Sequence, residues 1–269
     1  MYLADYHTHT LCSPDARNSM EEMAAAAIAA GLNEICFTEH MEPLEWNCTI
    51  PKTEDYDWSR LEQAFAAAKA AVGDDIQLRL GIELGDAPWD FAWAERQLEL
   101  APALDFVIGS IHSLPPPADS NLALYAPADE EDARARLGDY LSQVQRMVRW
   151  GKIQVVGHLT LPLRYFNGRR GFRLTFDEYH GELERILRLV VEKGLGIELN
   201  TNHGDMPLPD EKWLRMYRRL GGEIITLGSD AHRMGGVGCA IREGQELLRS
   251  CGFRRFCTFE QGKPIWHDL

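Results

Sequence analysis

The sequence has no Cys-x-x-Cys pair among its six cysteines (Cys12, Cys36, Cys48, Cys239, Cys251 and Cys257), which argues against a thiolate zinc site. Several of them sit inside apolar runs such as ICF and RFCTF, the setting of reduced, buried packing residues. No apolar run approaches the ~18 residues of a membrane-spanning helix. The first residues, MYLADYHTH, carry Asp5 and no apolar stretch of signal-peptide type, so a soluble, cytoplasmic protein is expected. Basic side chains are scarce: 28 Lys and Arg face 41 Asp and Glu, a net charge of −13. Proteins that grip a nucleic-acid backbone need the opposite balance, because that binding rests on Lys and Arg neutralising phosphates. An anionic substrate stays compatible if bound cations reverse the sign locally. No linker rich in Pro, Gly and Ser, no repeat and no low-complexity tract divides the chain, so residues 1–269 read as one domain.

Short strand-type runs alternate with amphipathic helical patterns from end to end. The predicted strands are Leu3–His9, Glu34–His40, Ile76–Leu84, Asp105–His112, Ile153–Leu159, Gly196–Thr201 and Glu223–Asp230. Helices are expected near 19–31, 57–72, 90–101, 130–150, 177–193, 210–220 and 239–251. Ser19-x-x-Glu22 and Thr175-x-x-Glu178 have the form of capping boxes, and Gly31, Gly73, Gly194 and Gly221 stand where helices should stop. Seven βα units in series predict an α/β fold with a parallel sheet, and about 250 residues is a usual length for a closed α/β barrel. Met41–Tyr56 and Ser113–Ala128 follow strand ends and read as long βα loops, the places where barrels build their sites. Phe253–Trp266 reads as an edge hairpin around Gln261-Gly262.

The informative residues are the histidines. Of nine, six (His7, His9, His40, His112, His158 and His232) fall at or near the C-terminal end of a predicted strand, the edge where parallel α/β folds bind ligands. Residues i and i+2 of a strand share a face, so His7 and His9 point the same way, as do Asp230 and His232. Glu83 is a carboxylate in an otherwise apolar strand, costly to bury unless a metal, a cation or a proton compensates it. Each of these alone has an ordinary explanation, since a lone strand histidine is usually a hydrogen-bonded core residue. Together with Asp15 they make nine imidazole and carboxylate groups at equivalent positions. One zinc site uses three or four, so nine suggest two or three metals sharing a bridging carboxylate.

The elements HTHTLCSPD, FTEH, GIE, GSIH, VGH, IELNTN and GSDAH, in that order, resemble those of the PHP (polymerase and histidinol phosphatase) family, and more closely its histidinol-phosphate phosphatase branch. They run from residue 7 to 232. The resemblance implies a distorted (βα)₇ TIM-like barrel with a trinuclear metal centre at the C-terminal mouth. It assigns His7, His9, Glu83 and Asp230 to a first metal, Glu83, His112 and His158 to a second, and Asp15, His40 and His232 to a third. Two departures stand out: Thr160 occupies a position where many relatives have Asp, and NTNHGDMPLP lacks an expected Arg.

The chemistry implied is hydrolysis of a small phosphomonoester, L-histidinol phosphate first among them. Two or three divalent ions (zinc, iron or manganese) about 3.5–4 Å apart would lower the pKa of a shared water and supply a hydroxide nucleophile. Glu83 and Asp230 are then catalytic as well as ligating. Arg164, in the basic loop LPLRYFNGRRGFR, is the candidate phosphate clamp. Glu198, Asn200 and Asn202 alternate onto one strand face as candidates for substrate or water contact, and His203 is a candidate general acid. Trp46, Trp89, Trp93 and Phe166 could wall the substrate or simply pack. Competing readings are a nucleotide phosphoesterase, an amidohydrolase and a noncatalytic metal-binding domain. No lysine stands at a strand's C-terminal end to take the bridging role of many amidohydrolases.

Overall fold

The computed structural model describes all residues, 1–269. Seven parallel strands form one sheet: β1 (Ala4–Thr8), β2 (Glu34–Met41), β3 (Gln77–Gly85), β4 (Phe106–Ser110), β7 (Val155–Val156), β8 (Gly196–Asn200) and β9 (Ile225–Gly228), paired in that order. Two short strands, β5 (Ser113–Leu114) and β6 (Ser120–Asn121), make a separate hairpin in the loop after β4. The sheet closes at its C-terminal end only: His9 N donates to Ala231 O (2.9 Å) and Asp230 N to His7 O (2.8 Å). This is the expected seven-stranded α/β barrel, with strands buried along nearly their whole length because helices cover them.

The helices are α1 (Met20–Ala29), α2 (Trp58–Val72), α3 (Phe91–Leu100), α4 (Glu130–Trp150), α5 (Pro162–Arg170), α6 (His180–Glu192), α7 (Glu211–Arg219) and α8 (Ile241–Ser250). Ser19 and Glu22 form the reciprocal capping box expected at α1. Thr175 and Glu178 do not. Thr175 Oγ1 accepts only from Asp177 N (3.3 Å), Glu178 pairs with Arg134 (2.9 Å), and a 3₁₀ turn at Asp177–Tyr179 leads into α6.

Helix α5 is a second correction, because the basic run read as a loop. Pro162 opens it, where a missing N–H costs nothing, and Gly171 ends it in the left-handed region (φ 74°). Leu163 and Phe166, three apart, are the buried side that holds it down. The consequence is functional: Arg164 sits in the first turn of a helix aimed over the barrel mouth.

The C-terminal hairpin, β10 (Arg255–Glu260) and β11 (Lys263–Asp268), forms around Gln261-Gly262 but pairs only with itself and is not an edge of the barrel. It packs at the opposite end, against the strand starts. Phe259 N donates to Tyr6 Oη (2.8 Å), Tyr6 Oη donates to Glu34 (2.5 Å), and the Phe259 ring lies 5.0 Å from that of Phe106. Phe259→Ala should therefore cost about 3–5 kcal/mol in urea unfolding, as for a buried aromatic truncated to a cavity. Activity per folded molecule should be unchanged, because the site lies at the other end. No helix is long and apolar enough to cross a membrane.

Candidate metal centre

At the mouth six of the seven strand ends, with Asp15 from the loop after β1, bring all nine expected groups together. His7 lies in β1 and His9 one residue past it; His40 and Glu83 lie near the ends of β2 and β3. His112, His158 and Asp230 each sit two residues beyond β4, β7 and β9, with His232 two further on. Asp15 comes from the loop after β1 and is the most exposed of the carboxylates, 37%. Asp230 holds a left-handed φ of 59°, an unusual state for a non-glycine residue. The buried Asp5 carboxylate steadies that turn by accepting from Ser229 N (2.9 Å) and Ser229 Oγ (2.6 Å).

Grouped as the resemblance implies, these residues make three sets, two of which contain Glu83, and His40 Nδ1 also lies 2.9 Å from Glu83 Oε2. His7 Nε2 is 3.2 Å from Glu83 Oε1 and 3.7 Å from Asp230 Oδ1, and His9 Nε2 is 3.5 Å from both Glu83 Oε2 and Asp230 Oδ1. His158 Nε2 and His112 Nε2 lie 3.0 and 3.3 Å from Glu83 Oε1, and 3.4 Å from each other. His232 Nε2 is 3.1 Å from Asp15 Oδ2; His40 Nε2 is 3.6 Å from Asp15 Oδ1 and 3.4 Å from His232 Nε2. Ligands held about 2.0–2.2 Å from one tetrahedral cation stand roughly 3.3–3.6 Å apart, so these spacings suit shared ions.

Hydrogen bonding gives an independent test of fit. His7 Nε2, His9 Nε2 and Glu83 Oε2 are buried and have no hydrogen-bond partner. Buried polar atoms are rarely left unpaired, and a divalent cation would satisfy these. The outer ring nitrogens are meanwhile occupied. His7 Nδ1 lies 2.8 Å from Glu198, His112 Nδ1 2.6 Å from Glu42, and His9 Nδ1 3.2 Å from Ser13 Oγ, which donates to Glu39 (2.6 Å). Such partners fix the tautomer and turn Nε2 to the centre. His158 Nδ1 and His40 Nδ1 have no such partner.

The charges of the site act strongly on one another. Burial raises the Glu83 carboxyl, but His7, His112 and His40 outweigh it and hold the pKa well below the usual range. Asp230 behaves alike: against burial, His7 and Arg164 keep it well below. His9 is pushed well below the usual imidazole value by burial, with His40 and His232 adding to it. His7 and His112 go the other way: against burial, Glu198 and Glu83 push His7, and Glu83 and Glu42 push His112, well above the usual imidazole value, so their ring protons would leave as a cation binds.

A cavity of about 320 Å³ opens onto the three sets. Trp46, Asn47, Asn121, Tyr165, Arg164 and Arg169 line its wall. Arg164 bridges the face, donating to Asp230 Oδ2 (2.7 Å), Asn202 Oδ1 (2.7 Å) and Asn200 Oδ1 (3.0 Å). Glu198 does not reach the cavity: it is fully buried behind His7 and also accepts from His158 N (2.6 Å), so the structure makes it a support rather than a substrate contact. Asn200 and Asn202 likewise hold Arg164 and do not line the cavity. His203 is exposed on the turn after β8 and does not line the cavity, but it stands near enough to Asp230, Arg164 and His232 for their charges to act on it. Thr160 is buried and also absent from it. Of the four aromatics expected at the wall, Trp46, Trp89, Trp93 and Phe166, only Trp46 lines this cavity, 4.8 Å from the His40 ring, while Phe166 is core.

Sequence reasoning missed Glu42, Glu39, Ser110 and Asp86. Glu42 had a readable signal, since His40-Met41-Glu42 has the same i, i+2 alternation as the H-x-H and D-x-H pairs. Asp86 accepts from His112 N (2.8 Å) and Ser113 N (2.9 Å), a loop contact that periodicity does not announce.

The model of the family described as PHP domain matches residues 5–202. The histidinol-phosphatase of Lactococcus lactis is 29% identical, over 95% of this chain and 93% of its own. The probable histidinol-phosphatase of Deinococcus radiodurans is 30% identical, over 97% and 98%. The crystal structure of the Lactococcus lactis histidinol phosphate phosphatase, complexed with zinc, L-histidinol and phosphate, superposes with a TM-score of 0.82. It is 26% identical and covers 98% of each chain.

Proposed function

The chain belongs to the PHP domain family, and from that premise we propose that it hydrolyses L-histidinol phosphate to L-histidinol and phosphate. The observation that carries this reading is four overlapping triads of imidazole and carboxylate groups, two of them on Glu83, with orphaned buried nitrogens at His7 and His9, beside one cavity that also holds Arg164. A cavity of about 320 Å³ is of a size for a small phosphate ester and too small for a macromolecule.

His7, His9, Glu83 and Asp230 would hold a first ion, Glu83, His112 and His158 a second, and Asp15, His40 and His232 a third. Zinc is proposed first because the Lactococcus lactis structure contains it. Divalent ions at such positions supply Lewis acidity toward phosphoryl oxygens and lower the pKa of water. The chain's own residues do the rest. Glu83 and Asp230 stay ionised and fix the spacing of the sets. Asn200, Asn202 and Asp230 hold the Arg164 guanidinium at the cavity wall, where its fork matches two phosphate oxygens. The Trp46 indole offers a flat apolar face beside His40 for an imidazole ring. No lysine lines the cavity, so the carboxylated-lysine chemistry of amidohydrolases has no residue here. The reading takes residues 1–269 as one phosphoesterase domain, and its six free cysteines suit a reducing, cytoplasmic setting.

The test is phosphate release by zinc-reconstituted protein from L-histidinol phosphate, serine phosphate and p-nitrophenyl phosphate, beside a chelated control. A preference of tenfold or more in kcat/KM for histidinol phosphate supports the assignment. Metal-dependent release without that preference keeps the phosphoesterase and discards the substrate. Arg164→Ala should lower kcat/KM about 10²-fold, the scale of removing one oriented donor to developing charge, and Arg164→Lys should not restore it. Full activity of either variant would remove Arg164 from the phosphate contact.

A further inference from the structure

Three glycines at the mouth have no backbone reason to be glycine. Gly85 ends β3, Gly228 ends β9 and Gly157 follows β7, and none has a positive φ. Glycine weakens a strand, because it loses more conformational freedom on folding and packs nothing. What its presence permits is close approach, and the neighbours show of what.

A Cβ on Gly85 would lie 2.5 Å from Glu42 Oε1 and 2.7 Å from Glu42 Cγ. On Gly157 it would lie 2.6 Å from Ser110 Oγ, and on Gly228 it would run into Glu198 Oε1 and His7 Cβ. Each group so accommodated is the outer partner of a residue facing the centre. Glu42 Oε1 is 2.6 Å from His112 Nδ1, Ser110 Oγ donates to Glu83 Oε1 (2.6 Å), and Glu198 Oε1 is 2.8 Å from His7 Nδ1. Gly109, the penultimate residue of β4, serves differently: a Cβ there meets Ile153 and Met147, which are core side chains.

We infer that Gly85, Gly157 and Gly228 are positioning residues of the metal centre, each leaving the one-methyl gap in which Glu42, Ser110 or Glu198 reaches the back of a ligand. At a strand end a carboxylate behind a histidine needs space that neither the barrel interior nor the helix layer offers. Omitting a Cβ on the strand supplies that space without lengthening a loop. The inference rests on reading the centre as a metal site, and it concerns affinity rather than the identity of the substrate.

The experiment is zinc binding to metal-free protein, by competition with a chromophoric chelator, with thermal melting of the metal-free form alongside. Gly85→Ala should weaken the affected zinc equivalent 10–100-fold, the usual cost of losing an outer partner, while the metal-free protein still melts cooperatively. Glu42→Ala should weaken it similarly. The double variant should bind no more weakly than Glu42→Ala alone, because the added methyl then has nothing to displace. Gly109→Ala should lower the melting temperature and leave zinc affinity within twofold. Wild-type affinity in Gly85→Ala, or losses that multiply in the double variant, would overturn the inference. If Gly85→Ala does not fold, Gly157→Ala against Ser110→Ala runs the same cycle with the same two outcomes. A wild-type protein that takes up no zinc would overturn the metal reading and this inference together. Zinc uptake unaffected by the glycine variants would overturn this inference alone.

Discussion

Glu83→Gln is expected to lower kcat for phosphate release by about 10³-fold or more, with the fold intact. The side chain is fully buried and is shared by all but the outermost groups: Oε1 lies within 3.3 Å of His7, His112 and His158, and Oε2 is 2.9 Å from His40 and 3.5 Å from His9. Glutamine keeps the shape. It removes the charge, and replaces one acceptor oxygen by an N–H₂ that would face ring nitrogens which must themselves accept a cation. Charge stabilisation of the reacting phosphoryl group by bound ions is worth several kcal/mol, and about 4 kcal/mol corresponds to three orders of magnitude in rate. Metal content by elemental analysis should fall together with the rate. A variant that keeps full metal content and activity within tenfold of wild type would show that Glu83 bridges nothing. Circular dichroism of the metal-free variant separates this from misfolding.

Stripping the metals should act on stability as strongly as on rate. Ions that bind only the folded chain stabilise it by mass action, about 4 kcal/mol when present at a thousand times the dissociation constant. For a chain near this length, 1 kcal/mol moves the melting temperature by roughly 2–4 °C. Exhaustive chelation should therefore lower it by about 10 °C and abolish phosphate release, and zinc should restore both. The physical cause is visible at His7 Nε2, His9 Nε2 and Glu83 Oε2, buried polar atoms that no other protein group satisfies. An unchanged melting temperature and rate, with metal removal verified, would end the metal-centre reading.

Much of the barrel was legible because its signals are local. Each of the seven parallel strands lies where an apolar run ends in a polar residue; five are shorter than read, β7 most of all, while β2 and β3 each run one residue further, to Met41 and Gly85. The pairs His7/His9 and Asp230/His232 could be read from strand alternation alone. Helix α5 escaped because its exposed face is a run of arginines that masks the Leu163–Phe166 spacing, even though Pro162 and Gly171 mark its ends. Glu198 lay on the predicted face, but whether a strand carboxylate meets substrate or the back of a histidine depends on depth, which no sequence period encodes. The placing of His203 was hidden as well, because two consecutive left-handed residues, Asn202 and His203, turn the chain where a strand pattern would continue it.

By itself the sequence determined which chemical groups stand at strand ends, the order of the βα units and the sign of the charge that cations would have to offset. Tertiary structure alone decided which of those groups meet. Asp230 and His7 are joined by closure of the first strand onto the last, Arg164 reaches Asp230 from a helix 66 residues earlier, and Glu42 finds His112 across 70. Alternation is a property of one strand, whereas these groups come together from six at once. Only the closed barrel brings the ring nitrogens of His7 and His158 and the carboxylate of Glu83 within 3.2 Å of contact.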